Sequence, residues 1–575
     1  MHRRAGNRTL FGGPSVAVRG LLRGTPAVER KQWAGRYPTL VEFFEHTVVR
    51  CGERPALKAP RFTGGGYRAL SYDRLNELAE RCAAGLQAHG IGKGDKVAIL
   101  SRPRVEWAAV MLGALKLGAV VVPLDPLLGQ REIRRLLAAT EAKAVIAAGD
   151  LIALTQGVGS LILAVSMDPG QPDNLLSWGE FTAEARLGPQ PPPPSLADLA
   201  FFICTSGTTG DAKVVMLTHE NLSSNLSAVF DRLGITPRDT VMTIAPWNHI
   251  MGLIILLASF WQGAGVVYSD DYRNLTQLMR ENRATLLTAV PKLYHSMFAK
   301  IESAIQEKPL SRWLYQRAPR LLGRRLKQKL LGRQFRFFVC GSAPLAPAVA
   351  AGFRRLGLGM IQGYGMSETS PVLTFTTPLT EKADSVGEPL ANLELKIANP
   401  DQEGVGEVLV RGPNVMRGYY KNPQRTRQVL QPDGWLHTGD LGLLDREGWL
   451  TIRGRSKNVI VLETGKNVYP EEIEWELCAS PYIEEILVRG GQRQGLEVIL
   501  AFVYPQQEAI TKLSDPAEIK RLIWEEIKRY GRNLASYKRI RSEKDLIIVD
   551  QPFVKTSTLD IKRYLYHGEV SSDKD

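Results

Sequence analysis

The chain runs to 575 residues, too many for one hydrophobic core, so two or more domains are expected. Its 44% apolar and 23% charged composition is that of an ordinary globular protein, and five Cys without CxxC spacing fit a reducing compartment, not a disulfide scaffold. A net charge of 73 − 59 = +14 favours anionic partners, but no zinc-finger or RNP-like motif accompanies it, so no nucleic acid is expected.

Residues 1–36 carry seven Arg, one Lys and a single acid, Glu29. With no apolar h-region they are not a secretory signal and read as a basic disordered tail, with a presequence or membrane-surface arm as alternatives. Within 37–52, Leu40, Phe43, Phe44 and Val48 recur at helical spacing. A second amphipathic helix covers 72–89. Strands at 96–100, 119–124 and 144–148 alternate with helices at 105–117 and 130–140, which predicts βαβ units and a mostly parallel sheet. The Pro-rich stretch 189–195 is a stiff connector.

An apolar run at 199–204 reads as a buried strand that leads into Thr205-Ser206-Gly207-Thr208-Thr209-Gly210-Asp211-Ala212-Lys213. Gly lets backbone N–H groups turn toward an anion, and the hydroxyls and Lys add donors, so this is a phosphate-gripping loop; the alternative is a solvated Ser/Thr/Gly turn. It is not a Walker loop. A further strand, 239–246, ends at Trp247-Asn248-His249. Residues 250–268 are uncharged for 19 positions, but Gln262-Gly263-Ala264-Gly265 argues for a buried helix, a Gly break and a short strand rather than a membrane span. Residues 285–294 repeat the strand-to-helix form. The stretch 301–334 is basic and amphipathic, suited either to an anionic membrane surface or to a solvated helix pair packed on the domain.

A strand at 337–340 ends in Gly341-Ser342-Ala343, small residues that let a flat base lie close to backbone. Then come Gly363-Tyr364-Gly365-Met366-Ser367-Glu368, Gly434-Trp435-Leu436-His437-Thr438-Gly439-Asp440 and Gly454-Arg455-Ser456-Lys457. Strands at 486–489 and 498–503 and a helix at 519–529 predict a small α+β domain at the C-terminal end.

The phosphate loop followed by Leu217-Thr218-His219, together with the Gly363–Glu368 and Gly434–Asp440 motifs, resembles the signatures of the adenylate-forming superfamily, closest to long-chain fatty acid–CoA ligases. Ala212 and Val214 depart from the usual Pro and Gly without removing a donor side chain. The resemblance runs from about residue 37 to 564. It implies an α/β fold with a large N-terminal domain of mixed and parallel sheets with flanking helices (37–454) and a small mobile α+β lid (455–575). It implies ATP, Mg²⁺ and CoA as cofactors. By resemblance, Thr205, Ser206, Gly207, Thr208, Thr209, Gly210 and Lys213 hold the β- and γ-phosphates, Gly341, Ser342 and Ala343 border the adenine, and Gly363 and Gly365 belong to the nucleotide site. Tyr364 stacks on the adenine, Ser367 bonds the α-phosphate, Glu368 holds Mg²⁺, and Asp440 and Arg455 hold the ribose. Thr205, Lys213, Glu368 and Lys457 are the residues assigned to catalysis, with Lys457 at the hinge. His249, Gly252, Pro291 and Tyr294 belong to the acyl pocket, His249 as a positioning group, and Gly465, Lys466 and Asn467 form the CoA-side loop.

The resemblance breaks in one place. Family members end with a segment like Pro-Lys-Thr-x-x-Gly-Lys-Ile-x-Arg, whose second Lys reaches the carboxylate and α-phosphate. Here Thr556, Ile561 and Arg563 keep the register and Asp560 falls on that Lys. Either Lys562 substitutes, or the chain chiefly runs the thioester-forming step. The implied activity is an ATP-dependent ligation of a medium- or long-chain carboxylate to CoA through acyl-AMP. An acyl-carrier-protein acceptor and an adenylation-impaired acyl-adenylate-binding pseudoenzyme are the alternatives. The expected location is cytoplasmic, with peripheral contact to the inner face of a membrane as an option.

Overall fold

The computed structural model describes residues 37–566 apart from 62–65, 170–174, 184–187, 189–191, 207–211, 381, 463–465, 494–495, 512, 514 and 556–560, with the backbone alone at 206, 212, 230, 231, 493 and 496. The basic tail 1–36 and residues 189–191 of the Pro-rich connector lie outside the described residues.

The large domain is built on two sheets. One has eight strands and is centred on Lys96–Leu100, which pairs in parallel with Val120–Leu124 and Ala142–Ala147. The other has nine strands and holds Thr240–Thr243, Gly265–Tyr268, Leu286–Ala289, Phe337–Cys340 and Gly359–Gly365 in parallel array. Several of these strands, such as Val120–Leu124 and Phe337–Cys340, are continuous apolar runs because helices cover both faces. The helix Val105–Lys116 is buried from Val105 through Leu115, as a helix apolar all round must be. It packs so tightly on Tyr72–Ala88 that a Cβ at Gly113 would lie 2.7 Å from the Ala79 carbonyl oxygen.

The uncharged stretch 250–268 folds as the helix Ile250–Gln262, a left-handed Gly263 (φ 72°) and the strand Gly265–Tyr268. Among the described residues no helix is long and apolar enough to cross a membrane. The basic stretch is not one helix. Pro309 and Pro319 divide it into Pro291–Glu307, Pro309–Arg317, Pro319–Leu326 and a π-helical turn Lys327–Leu331. It is anchored through Leu314, Leu322 and Leu331, while Leu310, Trp313 and Leu321 face outward.

Two features lay beyond the sequence reading. The phosphate-loop strand Leu199–Ser206 is answered by an antiparallel return strand, Ala212–Thr218. A separate four-stranded antiparallel sheet joins Glu394–Ala398, Gly406–Arg411, Leu436–Leu444 and Leu450–Arg455. The smaller C-terminal domain packs Pro470–Leu477 and Pro516–Tyr530 on a three-stranded sheet of Ile483–Arg493, Leu496–Pro505 and Leu546–Ile548 around Ile473, Val488, Val503 and Ile523.

Candidate functional site

A cavity of about 940 Å³ lies between the large domain and the small one. At its polar end, the hairpin register sets Thr205 opposite Lys213, and both side chains line the space. Gly207, Thr208, Thr209 and Gly210 lie outside the described residues, as does the side chain of Ser206. The Lys213 ammonium sits 5.2 Å from the centroid of the Tyr419 ring. Burial lowers its pKa, Glu368 pulls it back up, and Arg425 and Arg455 lower it further.

Glu368 stands in the short turn Ser367–Thr369, and Ser367 also lines the cavity. Glu368 is 7% exposed, and one of its oxygens accepts the Tyr419 hydroxyl proton at 2.8 Å. Its backbone carbonyl takes the Met416 N–H, so the turn is fixed from two sides. Among the described residues no group of three or more His, Cys, Asp and Glu could hold a metal ion. A divalent cation here would therefore draw on Glu368 and on ligand oxygens. That suits Mg²⁺, which commonly takes one or two carboxylates plus phosphates.

Asp440 is 4% exposed in the strand Leu436–Leu444. Antiparallel pairing puts it opposite Arg455, whose Nε lies 3.0 Å from Oδ1, while Tyr364 donates its hydroxyl to Oδ2 at 2.8 Å. Burial raises the Asp440 pKa against the pull of Arg455 and Tyr364. Lys457 follows in the turn Ser456–Asn458 and faces the same cavity. Burial, then Arg455 and Lys213, bring its pKa down to about 8. Lysines that repel one another in a partly dry cleft are relieved by an anion. This end of the cavity is therefore suited to a polyanion.

Gly341 and Ser342 line this cavity, and Ser342 and Ala343 line a second, neighbouring one that also takes in Asp440 and Arg455. Gly363 and Gly365 border both. A side chain at Gly365 is barred, since its Cβ would fall 1.8 Å from the Pro371 carbonyl oxygen. Ser342 Oγ is 2.8 Å from Met251 Sδ, and this contact joins the polar end to an apolar arm. The arm runs along Ile250–Gln262, whose cavity-facing residues Met251, Ile254, Ile255 and Ala258 form one helical stripe. Val229, Leu233, Ile235, Val241 and Leu286 close its other sides.

His249 borders the junction, half-buried, its Nε2 4.0 Å from Asp125 Oδ2 and itself without a hydrogen-bond partner among the described residues. Burial lowers its pKa, so the ring is neutral near pH 7. The other acyl-pocket assignments need correction. Gly252 does not face the cavity; its Cβ would meet the Pro246 carbonyl oxygen at 2.1 Å, so it serves the packing of helix on strand end. Pro291 begins a helix, and Tyr294 is fully buried in the core, donating to the carbonyls of Leu287 (2.8 Å) and Val339 (2.9 Å). Neither lines the cavity, because that helix turns this face to Phe338 and Phe353.

The small domain closes the cavity with Lys555, Lys562 and Tyr564. Asp560 lies outside the described residues, as does Gly465. Lys466 stacks 4.5 Å from the Tyr537 ring centroid, and neither it nor Asn467 lines either cavity. Glu485 of the small domain accepts from Lys555 and, at 3.3 Å, from Lys292 of the large one. Tyr419 and Asp125 had no chemistry-bearing spacing to reveal them. The Met251–Ala258 stripe could not be singled out either, since Ile250–Gln262 is apolar on nearly every side.

Comparison with known proteins gives one consistent family. A profile described as "AMP-binding enzyme" matches residues 44–420, and one described as "AMP-binding enzyme C-terminal domain" matches 457–568. A human long-chain-fatty-acid–CoA ligase 6 is 30% identical over 91% of this chain and 84% of its own. Among solved structures, ATP-bound MatB from Rhodopseudomonas palustris superposes with a TM-score of 0.73 at 26% identity, covering 91% of this chain and 98% of that one. A Mycobacterium tuberculosis fatty acyl CoA synthetase gives a TM-score of 0.63 at 25% identity, covering 91% and 96%.

Proposed function

The chain belongs to the AMP-binding enzyme family, and on that premise we propose that it is an ATP-dependent ligase joining a medium- or long-chain fatty acid to CoA through an acyl-adenylate. One observation carries the choice of substrate: a single cavity couples the cationic end at Lys213, Arg455 and Lys457 to an apolar arm along Met251, Ile254 and Ala258. Such a space fits a carboxylate with a long hydrocarbon tail laid against a nucleotide triphosphate.

In the first step a carboxylate oxygen bonds to the α-phosphorus of ATP, and the bond from that phosphorus to the β-bridging oxygen breaks, releasing pyrophosphate. Thr205 and Lys213, with the loop between them, grip the β- and γ-phosphates. Asp440 accepts the ribose hydroxyls, steadied by Arg455, and Tyr364 lies against the base. Ser367 bonds the α-phosphate. Mg²⁺, held by Glu368 and phosphate oxygens, would offset the triphosphate's charge. Held in this way, the reactants need little reorganisation, and fixed donors meet the charge that develops. His249 is neutral and orients the acyl carbonyl without moving a proton. In the second step the small domain turns about Lys457 and brings in CoA, whose thiolate displaces AMP. Lys466 and Asn467, remote from the cavity as it stands, would approach only after that turn. The exposed Leu310, Trp313 and Leu321 beside Arg312, Arg320 and Arg324 suit contact with an anionic membrane surface, where such acids partition.

The reading is tested by incubating the full chain with Mg·ATP, CoA and fatty acids of eight to eighteen carbons. Acyl-CoA is the expected product, with little turnover of acetate.

A further inference from the structure

The ligase reading requires a cation opposite the attacking carboxylate, and Asp560 occupies the sequence position where that cation is expected. The geometry points to Lys562 as the residue that supplies it. Among the described residues the antiparallel bridge Lys555↔Ile561 and the hydrogen bond from Lys562 N–H to the Val554 carbonyl (2.9 Å) hold Ile561 and Lys562 against Val554 and Lys555. Both neighbours of Lys562 are pinned inward. Ile561 packs on the apolar cluster of Leu487, Phe502 and Phe553. Arg563 reaches back to the Glu474 carboxylate and donates to the Val488 carbonyl at 3.0 Å. Lys562 sits between these two anchors, at the entry to the turn Arg563–Leu565. It lines the cavity that holds Thr205, Lys213 and Glu368.

The competing cation is already engaged: Lys555 also borders the cavity, but its ammonium is held by the buried Glu485. No acidic or other polar side chain among the described residues holds the Lys562 ammonium. It remains available to bridge the acyl carboxylate and the α-phosphate, where a fixed cation draws the two anions together and stabilises the pentacovalent charge. The proposal rests on the ligase reading.

The test is hexadecanoate-dependent ATP–pyrophosphate exchange by the full chain, its Lys562→Met, Lys562→Arg and Lys555→Met variants, and Asp560→Lys. The same proteins are then assayed for thioester formation from supplied hexadecanoyl-AMP and CoA. Lys562→Met should lower exchange by ~10²–10³ while thioester formation and the melting temperature stay near native, and Lys562→Arg should recover part of the loss. The proposal is overturned if Lys562→Met exchanges normally, if both half-reactions fall together, or if Lys555→Met alone is silent. It is also overturned if the native chain is silent and Asp560→Lys awakens it, although the ligase reading would then stand. If neither half-reaction occurs in any form, the ligase reading itself falls.

Discussion

Replacing Ala258 with Phe should shorten the acids this protein accepts. Ala258 is buried on the stripe of Ile250–Gln262 that walls the apolar arm, seven residues beyond Met251. At a rise of 1.5 Å per residue that is ~10.5 Å from the junction with the nucleotide end. An extended chain advances ~1.2 Å per bond, so about nine carbons fit before Ala258. A sixteen-carbon acid then has about seven carbons beyond the block. At ~0.8 kcal/mol per buried methylene, excluding them costs ~5–6 kcal/mol as an upper bound. That corresponds to a loss of at most ~10⁴ in kcat/KM for hexadecanoate. Octanoate ends short of the block and should keep its native value within a few-fold. Because tail burial is equal in ground and transition states, the loss should sit in KM. The assay is steady-state acyl-CoA formation across even-numbered acids, with the melting temperature as a control. Equal loss for octanoate and hexadecanoate, or no loss for either, would refute the placement of the tail.

Three other outcomes follow from the geometry. The Lys457 ammonium is charged in the free protein below about pH 8 and must be charged to hold nucleotide. ATP affinity should hold below that pH and weaken above it by up to ~10-fold per unit; Lys457→Arg, charged throughout, should flatten the profile, and a flat native profile counts against the role. Asp440→Asn, which weakens acceptance of the ribose hydroxyls, should raise the Kd for AMP by ~10–100-fold in calorimetric titration; an unchanged Kd would remove Asp440 from the nucleotide site. Gly252→Ala presses a methyl on the Pro246 carbonyl and should cost ~1–3 kcal/mol in urea unfolding, so full stability would show that the helix has room to shift.

Much of the fold was legible because parallel strands buried on both faces are unbroken apolar runs. Lys96–Leu100, Val120–Leu124 and Phe337–Cys340 are of this kind. The strand Leu436–Leu444 was not legible, since its solvent-side positions carry His437 and Gly439 and interrupt any run; its alternation emerges only with its partners in place. The return strand Ala212–Thr218 was obscured by a loop motif read for its chemistry. In the site, the motif residues Glu368, Tyr364, Asp440 and Arg455 could be named from local sequence and do share one region of the cleft. Their fixing partners could not: Tyr419 meets Glu368 from 51 positions away, and Lys292 meets Glu485 from 193. Tyr294 shows the converse error. Its strand-to-helix setting matches that of His249, but which side of the sheet its helix covers is a property of the whole domain.

The most direct test of the central claim is the product ledger of one reaction: the full chain with Mg·ATP, CoA and hexadecanoate, quantified for nucleotide and thioester. AMP, pyrophosphate and hexadecanoyl-CoA should appear in equal amounts, and none should form when the acid is left out. ADP with inorganic phosphate as the nucleotide products, or AMP release that does not depend on the acid, would contradict the account.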